Sequence, residues 1–295
     1  MEKKTIRLAN GETYAYLEAG TGDSVLLIHG NMSSSVHFAP IFDALAQKYR
    51  VIAPDLRGFG DSSYEKRFDL LSELAEDVKL FCEALGITRA HVAGWSTGGG
   101  IALELAARFP ALVRSLFSIE GAGHRGYPIY KKDEKNMPLV GQVYASKEEM
   151  AKDPLQVAPM LALFAAGNAA GMGWVWDQTI YTVGKPLPEQ SALWLAETMK
   201  QRNLIDLDWA LANLNMGAGT NGYREGDNSI SKVECPCAFT TCDRDVVVPE
   251  WMVAENVGAL GSRAKLLRYE GSGHSPLVDC PDRLTADMLA FFGEN

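Results

Sequence analysis

The chain has 295 residues, of which 47% are hydrophobic and 22% charged, and its net charge is −9. Length and composition fit one large globular domain, or a domain with an insertion, and a chain this long buries its own core without staples. The negative balance argues against nucleic acid and anionic membrane surfaces as partners, and no apolar run is long enough to span a bilayer.

In chain order, Met1-Glu2-Lys3-Lys4 leads into a strand pattern without the basic and apolar regions of a secretory leader. Residues 5–8 and 13–17 flank Asn10-Gly11 and predict an opening hairpin. Residues 25–28 read as a buried strand, 38–49 as a helix and 51–53 as a strand ended by Pro54. An amphipathic helix over 70–85 closes at Gly86. Strand 90–93, helix 97–109 and strand 113–119 follow. The alternation then stops. From 123 to 232 the pattern is helical or irregular and rich in Met, Ala, Gly and Trp. Within it, Lys131-Lys132-Asp133-Glu134 reads as a solvated loop, and Gly217-Ala218-Gly219-Thr220-Asn221-Gly222 as a flexible loop. The latter matches Gly-x-Gly-x-x-Gly, but no strand precedes it and no βαβ unit encloses it. Strand and helix resume at 238–241, 250–260, 264–269 and 282–292. Alternation of this kind predicts a mostly parallel sheet covered on both faces. The expected organisation is a core of residues 1–122 and 233–295, with 123–232 inserted as a mainly helical cap. Five cysteines, in no Cys-x-x-Cys pair, read as reduced thiols, and a cytoplasmic location is expected.

Residues 94–98 read Gly-Trp-Ser-Thr-Gly between strand and helix. Such a turn lifts the Ser96 hydroxyl above the sheet, and Gly94 and Gly98 keep it free of crowding Cβ atoms. The segment resembles the nucleophile elbow of the α/β-hydrolase superfamily. A serine needs a base to take its proton and an acid to orient that base. The chain order this resemblance implies is Ser, acid, His. Of five histidines, only His274 follows the resumed sheet, in Gly271-Ser272-Gly273-His274-Ser275-Pro276. The acid belongs after strand 238–241, where Asp243 and Asp245 stand. Asp245 keeps the superfamily's spacing to the apolar run and Pro249, with Asp243 as its loop-stabilising neighbour and Glu120 as a further candidate. Two backbone N–H groups must face the developing oxyanion. Thr97 is expected to supply one and Asn31, in His29-Gly30-Asn31, the other, with His29 bracing the loop. Trp95 is the candidate pocket wall, and no His, Cys and carboxylate cluster has metal spacing.

With Asp55-Leu56-Arg57-Gly58-Phe59-Gly60-Asp61-Ser62 added, the resemblance to α/β-hydrolases runs over essentially the whole chain. It implies a mostly parallel central sheet flanked by helices, an inserted cap and a serine mechanism without cofactor. More narrowly, Gly94-Trp95-Ser96-Thr97-Gly98-Gly99 is similar to the Trp-containing lipase box of an intracellular poly(3-hydroxybutyrate) depolymerase family. Gly126-Tyr127-Pro128-Ile129, Asp153-Pro154, Gln201-Arg202-Asn203-Leu204 and His274-Ser275-Pro276 also look like that family. Thr97 and Cys242 depart from it, where Met and Gly are usual. The expected substrate is a carboxylic ester, including 3-hydroxybutyrate oligomers or amorphous polyhydroxyalkanoate. Carbon–carbon bond hydrolysis, perhydrolysis and ligand reception on the same fold are the rival readings.

Overall fold

The computed structural model describes residues 2–295. Its chain order is β1 (Lys4–Arg7), β2 (Thr13–Ala19), β3 (Ser24–Ile28), α1 (Ala39–Ala46), β4 (Arg50–Pro54), α2 (Leu71–Ala84), β5 (Ala90–Trp95), α3 (Thr97–Arg108) and β6 (Val113–Ile119). Then come β7 (Tyr130–Lys132), β8 (Pro138–Val143), α4 (Lys147–Met150), α5 (Ala158–Ala165), α6 (Ala169–Thr179), α7 (Pro188–Thr198) and α8 (Leu204–Ala212). The chain closes with β9 (Cys237–Cys242), α9 (Glu250–Leu260), β10 (Ala264–Tyr269), α10 (Pro276–Asp279) and α11 (Pro281–Glu294).

Eight strands form one sheet in the order β1-β2-β4-β3-β5-β6-β9-β10. From β4 to β10 all neighbours are parallel; the β1–β2 hairpin joins antiparallel at one edge. A parallel strand covered on both faces needs apolar residues on both, and β5 and β9 are buried at every position. Two apolar clusters fill the two faces. One holds Leu26, Ile28, Val92 and Leu116 with α2 and α3; the other holds Leu27, Ala93, Trp95 and Phe117 with α1 and α11. Even and odd residues of one strand go to opposite clusters, the period-two signature of a pleated strand.

Between β6 and β9 the chain adds no strand to this sheet. It forms five helices and a small cluster of its own, Ile129, Tyr144, Met150, Val157 and Ala212. It also forms the antiparallel β7–β8 hairpin, which the sequence reading missed. β8 is mostly exposed, so no buried alternation marks it. The turn rests on Asp133, whose Oδ1 accepts the N–H groups of Lys135 and Met137, and on Asn136 at φ 61°. Lys132, expected in a solvated loop, is instead buried and paired with Asp153 at 2.8 Å. The glycine-rich segment at 217–222 is a turn. Asn221 Nδ2 donates to the carbonyls of Arg125, Ala212 and Leu214 there. Among the described residues, no helix is long and apolar enough to cross a membrane.

Candidate active site

β5 ends at Trp95, and the chain turns at Ser96 into α3. Ser96 has φ 56° and ψ −124°, a conformation that L side chains rarely adopt. The surroundings fix it there. Its N–H donates to Ile119 O at 3.0 Å, and its carbonyl accepts from Gly99 at 2.9 Å and Ala122 at 3.0 Å. A Cβ on Gly94 would lie 2.2 Å from Gly98 O, and one on Gly98 would lie 2.1 Å from Ile28 O. Close backbone approach, rather than positive φ, therefore excludes side chains at both positions. Gly30 packs against the serine in the same way, since its Cβ would sit 2.8 Å from Ser96 Cβ.

His274 lies in the loop between β10 and α10. Its Nδ1 is 2.7 Å from Asp245 Oδ2, and both side chains are buried. Asp245 Oδ1 accepts the N–H groups of Val247 at 2.6 Å and Val248 at 3.0 Å. Burial alone raises a carboxyl; here the His274 charge and these hydrogen bonds outweigh it and hold Asp245 below the ordinary range. Both loops are tethered. Asp243 Oδ1 accepts from Gly271 N–H at 2.7 Å, and Asp279 Oδ2 accepts from Gly273 N–H at 2.7 Å. Asp243 is thus the brace between the two loops.

Glu120, the other candidate acid, does not touch His274 by hydrogen bond. It ends β6 at φ 42° and is fully buried. Its oxygens accept from Thr240 Oγ1 at 2.7 Å and Cys242 N at 3.1 Å. Burial and the neighbouring Asp245 charge push its carboxyl up to about 7. It ties β6 to the end of β9, from which the Asp245 loop departs.

Ser96, Thr97, Asn31 and His274 all line one cavity of ≈ 360 Å³. Neither the Asn31 nor the Thr97 N–H donates to another backbone carbonyl. Thr97 opens α3, where unsatisfied N–H groups and the helix dipole favour negative charge. His29 braces the Asn31 loop: Leu56 N–H donates to its Nε2 at 3.0 Å, and its Nδ1 lies 2.8 Å from Gly30 O. Burial lowers this imidazole to about 4, so it stays neutral.

Trp95 requires a correction. It does not line the cavity. Strand alternation puts it on the face of Leu27 and Phe117, where it packs beside His37 and Trp176. Its indole N–H donates to the His274 carbonyl at 2.9 Å, so it supports the histidine from behind. Of the tryptophans between β6 and β9, Trp176 and Trp194 are buried and Trp174 is exposed.

Twelve of the twenty lining residues come from the segment between β6 and β9, most of them apolar. Asp208 on α8 is the one carboxyl among them and was missed in the sequence. Its Oδ1 accepts from Asn31 Nδ2 at 2.9 Å, and burial pushes its carboxyl up to about 7. A helical pattern of Leu, Ile and Trp around it gives no sign that the carboxyl faces a cavity. The one available signal is the spacing to Asp206: two residues apart on a helix lie roughly 200° apart, so one must face inward.

The chain is 29% identical to Lipase 1 of Psychrobacter immobilis over 304 residues, which span 99% of this chain and 84% of that one. It is 35% identical to an uncharacterized protein of Mycobacterium tuberculosis over 94% of this chain and 77% of the relative. An esterase from Exiguobacterium antarcticum has the same fold, with TM-score 0.73, 20% identity and coverage of 98% of this chain and 99% of that one. So does an enol-lactonase from Burkholderia xenovorans LB400, with TM-score 0.74, 16% identity and coverage of 98% and 100%. The family model of the alpha/beta hydrolase fold matches residues 23–281, and the chain belongs to that family.

Proposed function

We propose that the protein is a serine hydrolase of carboxylic esters. The observation that carries this reading is the 2.7 Å contact of Asp245 with His274, which lines one cavity with Ser96 on its strained turn. In this mechanism Ser96 Oγ attacks the ester carbonyl while His274 Nε2 takes its proton. Asp245 holds Nδ1–H and stabilises the imidazolium. The backbone N–H groups of Asn31 and Thr97 bind the oxyanion. His274 then gives the proton to the departing alkoxide, leaving an acyl group on Ser96. Water, deprotonated by His274, attacks that acyl-enzyme and releases the acid and free serine. The chemistry needs no cofactor. The lipases and esterases among the relatives support the ester class.

The segment 123–232 acts in this reading as a cap that supplies the acyl side of the cavity. A mostly apolar cleft with a few polar groups suits an acyl chain. The lipase-box likeness at Gly94-Trp95-Ser96, from which Thr97 departs, favours 3-hydroxybutyrate oligomers or amorphous polyhydroxyalkanoate as substrates.

A fluorophosphonate probe tests the nucleophile, with labelling expected at Ser96 alone. A panel of p-nitrophenyl acyl esters beside hydroxybutyrate oligomers tests the substrate. Absence of both labelling and ester turnover would sink the hydrolase reading. Turnover of simple esters with oligomers untouched would sink the polyester reading only.

A further inference from the structure

We propose that Asp208 reads a free hydroxyl on the acyl chain, so that the cavity selects hydroxyacyl esters over their deoxy counterparts. The inference rests on the ester-hydrolase reading and deepens it.

The buried carboxylates of this chain are otherwise well partnered. Asp77 takes a two-pronged bond from Arg57, with Tyr14 and Asn10 in addition. Asp55 accepts from Lys3, Ser35 N–H and Asp61 N–H. Asp206, two residues from Asp208, accepts from Arg67, Lys147 and Tyr64. Asp208 alone among them has no cation and a single hydrogen bond, from Asn31 Nδ2 to Oδ1. Its Oδ2 has no partner among the described residues, and the residue borders the cavity that holds Ser96 and His274.

A carboxyl oxygen that borders a cavity and has no protein partner can accept a hydrogen bond from whatever fills that cavity. Apart from Asn31, no lining side chain hydrogen-bonds it, the polar Gln156 and Thr179 included. Its one contact runs to Asn31, whose backbone N–H is the proposed oxyanion donor. Asp208 thus shares the cavity of Ser96 and His274 through Asn31, and we take its side of that cavity as the acyl side. A hydroxyl O–H is the neutral donor we assign to it, in a cavity that has no other carboxyl and is otherwise mostly apolar. An alkyl acyl chain would leave Oδ2 unpartnered, which is how a site rejects an analogue that lacks a hydroxyl.

The consequence for a polymer of hydroxy acids follows from its chemistry. Internal units have their hydroxyls esterified and can donate no hydrogen bond. Only the hydroxyl-terminal unit carries an O–H. Reading by Asp208 makes the protein a remover of hydroxyl-terminal units rather than a cutter at internal bonds.

The test compares p-nitrophenyl 3-hydroxybutyrate, its O-acetylated form and p-nitrophenyl butyrate on the unaltered protein and on Asp208→Leu. The unaltered protein should prefer the free-hydroxyl ester in kcat/KM by about tenfold or more, the worth of one such bond. O-acetylation should bring the rate down to that of butyrate. Asp208→Leu should bring the ratio of hydroxybutyrate to butyrate within about twofold, whereas loss of a merely structural Asp208 would lower both rates together and keep the ratio. Equal kcat/KM for all three esters in the unaltered protein would overturn the inference and leave the hydrolase standing. So would a preference that survives either the substitution or the O-acetyl group. If Asp208→Leu does not fold, the O-acetylated ester decides alone. Failure of every ester together with failure of fluorophosphonate labelling would remove the hydrolase reading itself.

Discussion

The sheet side of the cavity and the segment that faces it are packed to different standards. β5 and β9 are buried throughout, and eleven of the twelve residues of α3 are buried. Across the cavity, α5 buries no residue fully and α6 buries two. The sheet side also fixes its polar groups. Ser96 is held through three backbone hydrogen bonds, and Asp245 through His274 and two N–H groups. The facing segment presents mostly apolar side chains, with Gln156, Thr179 and one carboxyl, Asp208, held by a single hydrogen bond. The difference separates two tasks. Reacting groups need positions defined to a fraction of an ångström, which only a close-packed core supplies. A wall that receives acyl chains needs shape and can yield. Changes on the sheet side should therefore act on rate, and changes on the facing segment on substrate choice.

The strongest attempt to break that division is Ser96→Ala. Ester turnover should fall by about 10⁴–10⁶-fold with the fold intact by circular dichroism, as for triad losses generally. Turnover within tenfold of the unaltered protein, with contaminating esterase excluded, would falsify the nucleophile assignment. Next is Asp245→Asn, which leaves His274 with the wrong tautomer; kcat should drop by roughly 10⁴-fold. Glu120→Gln should cost far less, because Glu120 makes no hydrogen bond to His274. If Glu120→Gln proved the more damaging of the two, the acid would belong to β6.

Glu120 also gives the comparison a pH signature. Its folded carboxyl titrates near 7, above the ordinary 4.5, so the folded protein holds a proton that the unfolded chain releases. The stability contributed by that proton is fully present below about 4.5. It declines as pH rises from there to about 7, by on the order of 3 kcal/mol, and stays lost above. Glu120→Gln removes this titration. Thermal melts at pH 5 and pH 8 should show a smaller fall in Tm for the variant than for the unaltered protein. Parallel falls would mean that Glu120 is ionised throughout.

Trp95→Phe removes the N–H that holds the His274 carbonyl. One neutral hydrogen bond is worth about 1 kcal/mol, so kcat should fall by less than about tenfold with little change in preference among acyl lengths. A large shift in acyl preference would return Trp95 to the pocket wall. The smallest effect is expected at the tip of the facing segment. Val140 on β8 is 81% exposed, and Val140→Thr should change stability by no more than about 0.5 kcal/mol and leave kcat/KM unaltered. A larger loss in urea unfolding would show that the β7–β8 hairpin is packed against something.

The sequence by itself determined the order of strands and helices on the sheet side. Apolar runs such as 25–28 and 90–93 are buried on both faces, so local composition and final environment agree. It also determined the elbow, because Gly94 and Gly98 are demanded by backbone atoms only a few residues away or on the adjoining strand. The pairing of Asp245 with His274 was legible because each stands in the loop that follows a predicted strand. Tertiary structure alone decided the rest. The β7–β8 hairpin buries too little to leave an alternation. Trp95 faces away from the cavity because the pleat, not its proximity to Ser96 in sequence, sets its direction. In the chain Asp208 reads as an ordinary carboxylate and Glu120 as a further candidate acid at a strand end. Only the fold removes water from both, brings the Asp245 charge near Glu120 and the Asp153 charge near Asp208, and so shifts both to about 7. Desolvation depends on what elements distant in sequence bring together, and no local pattern encodes it.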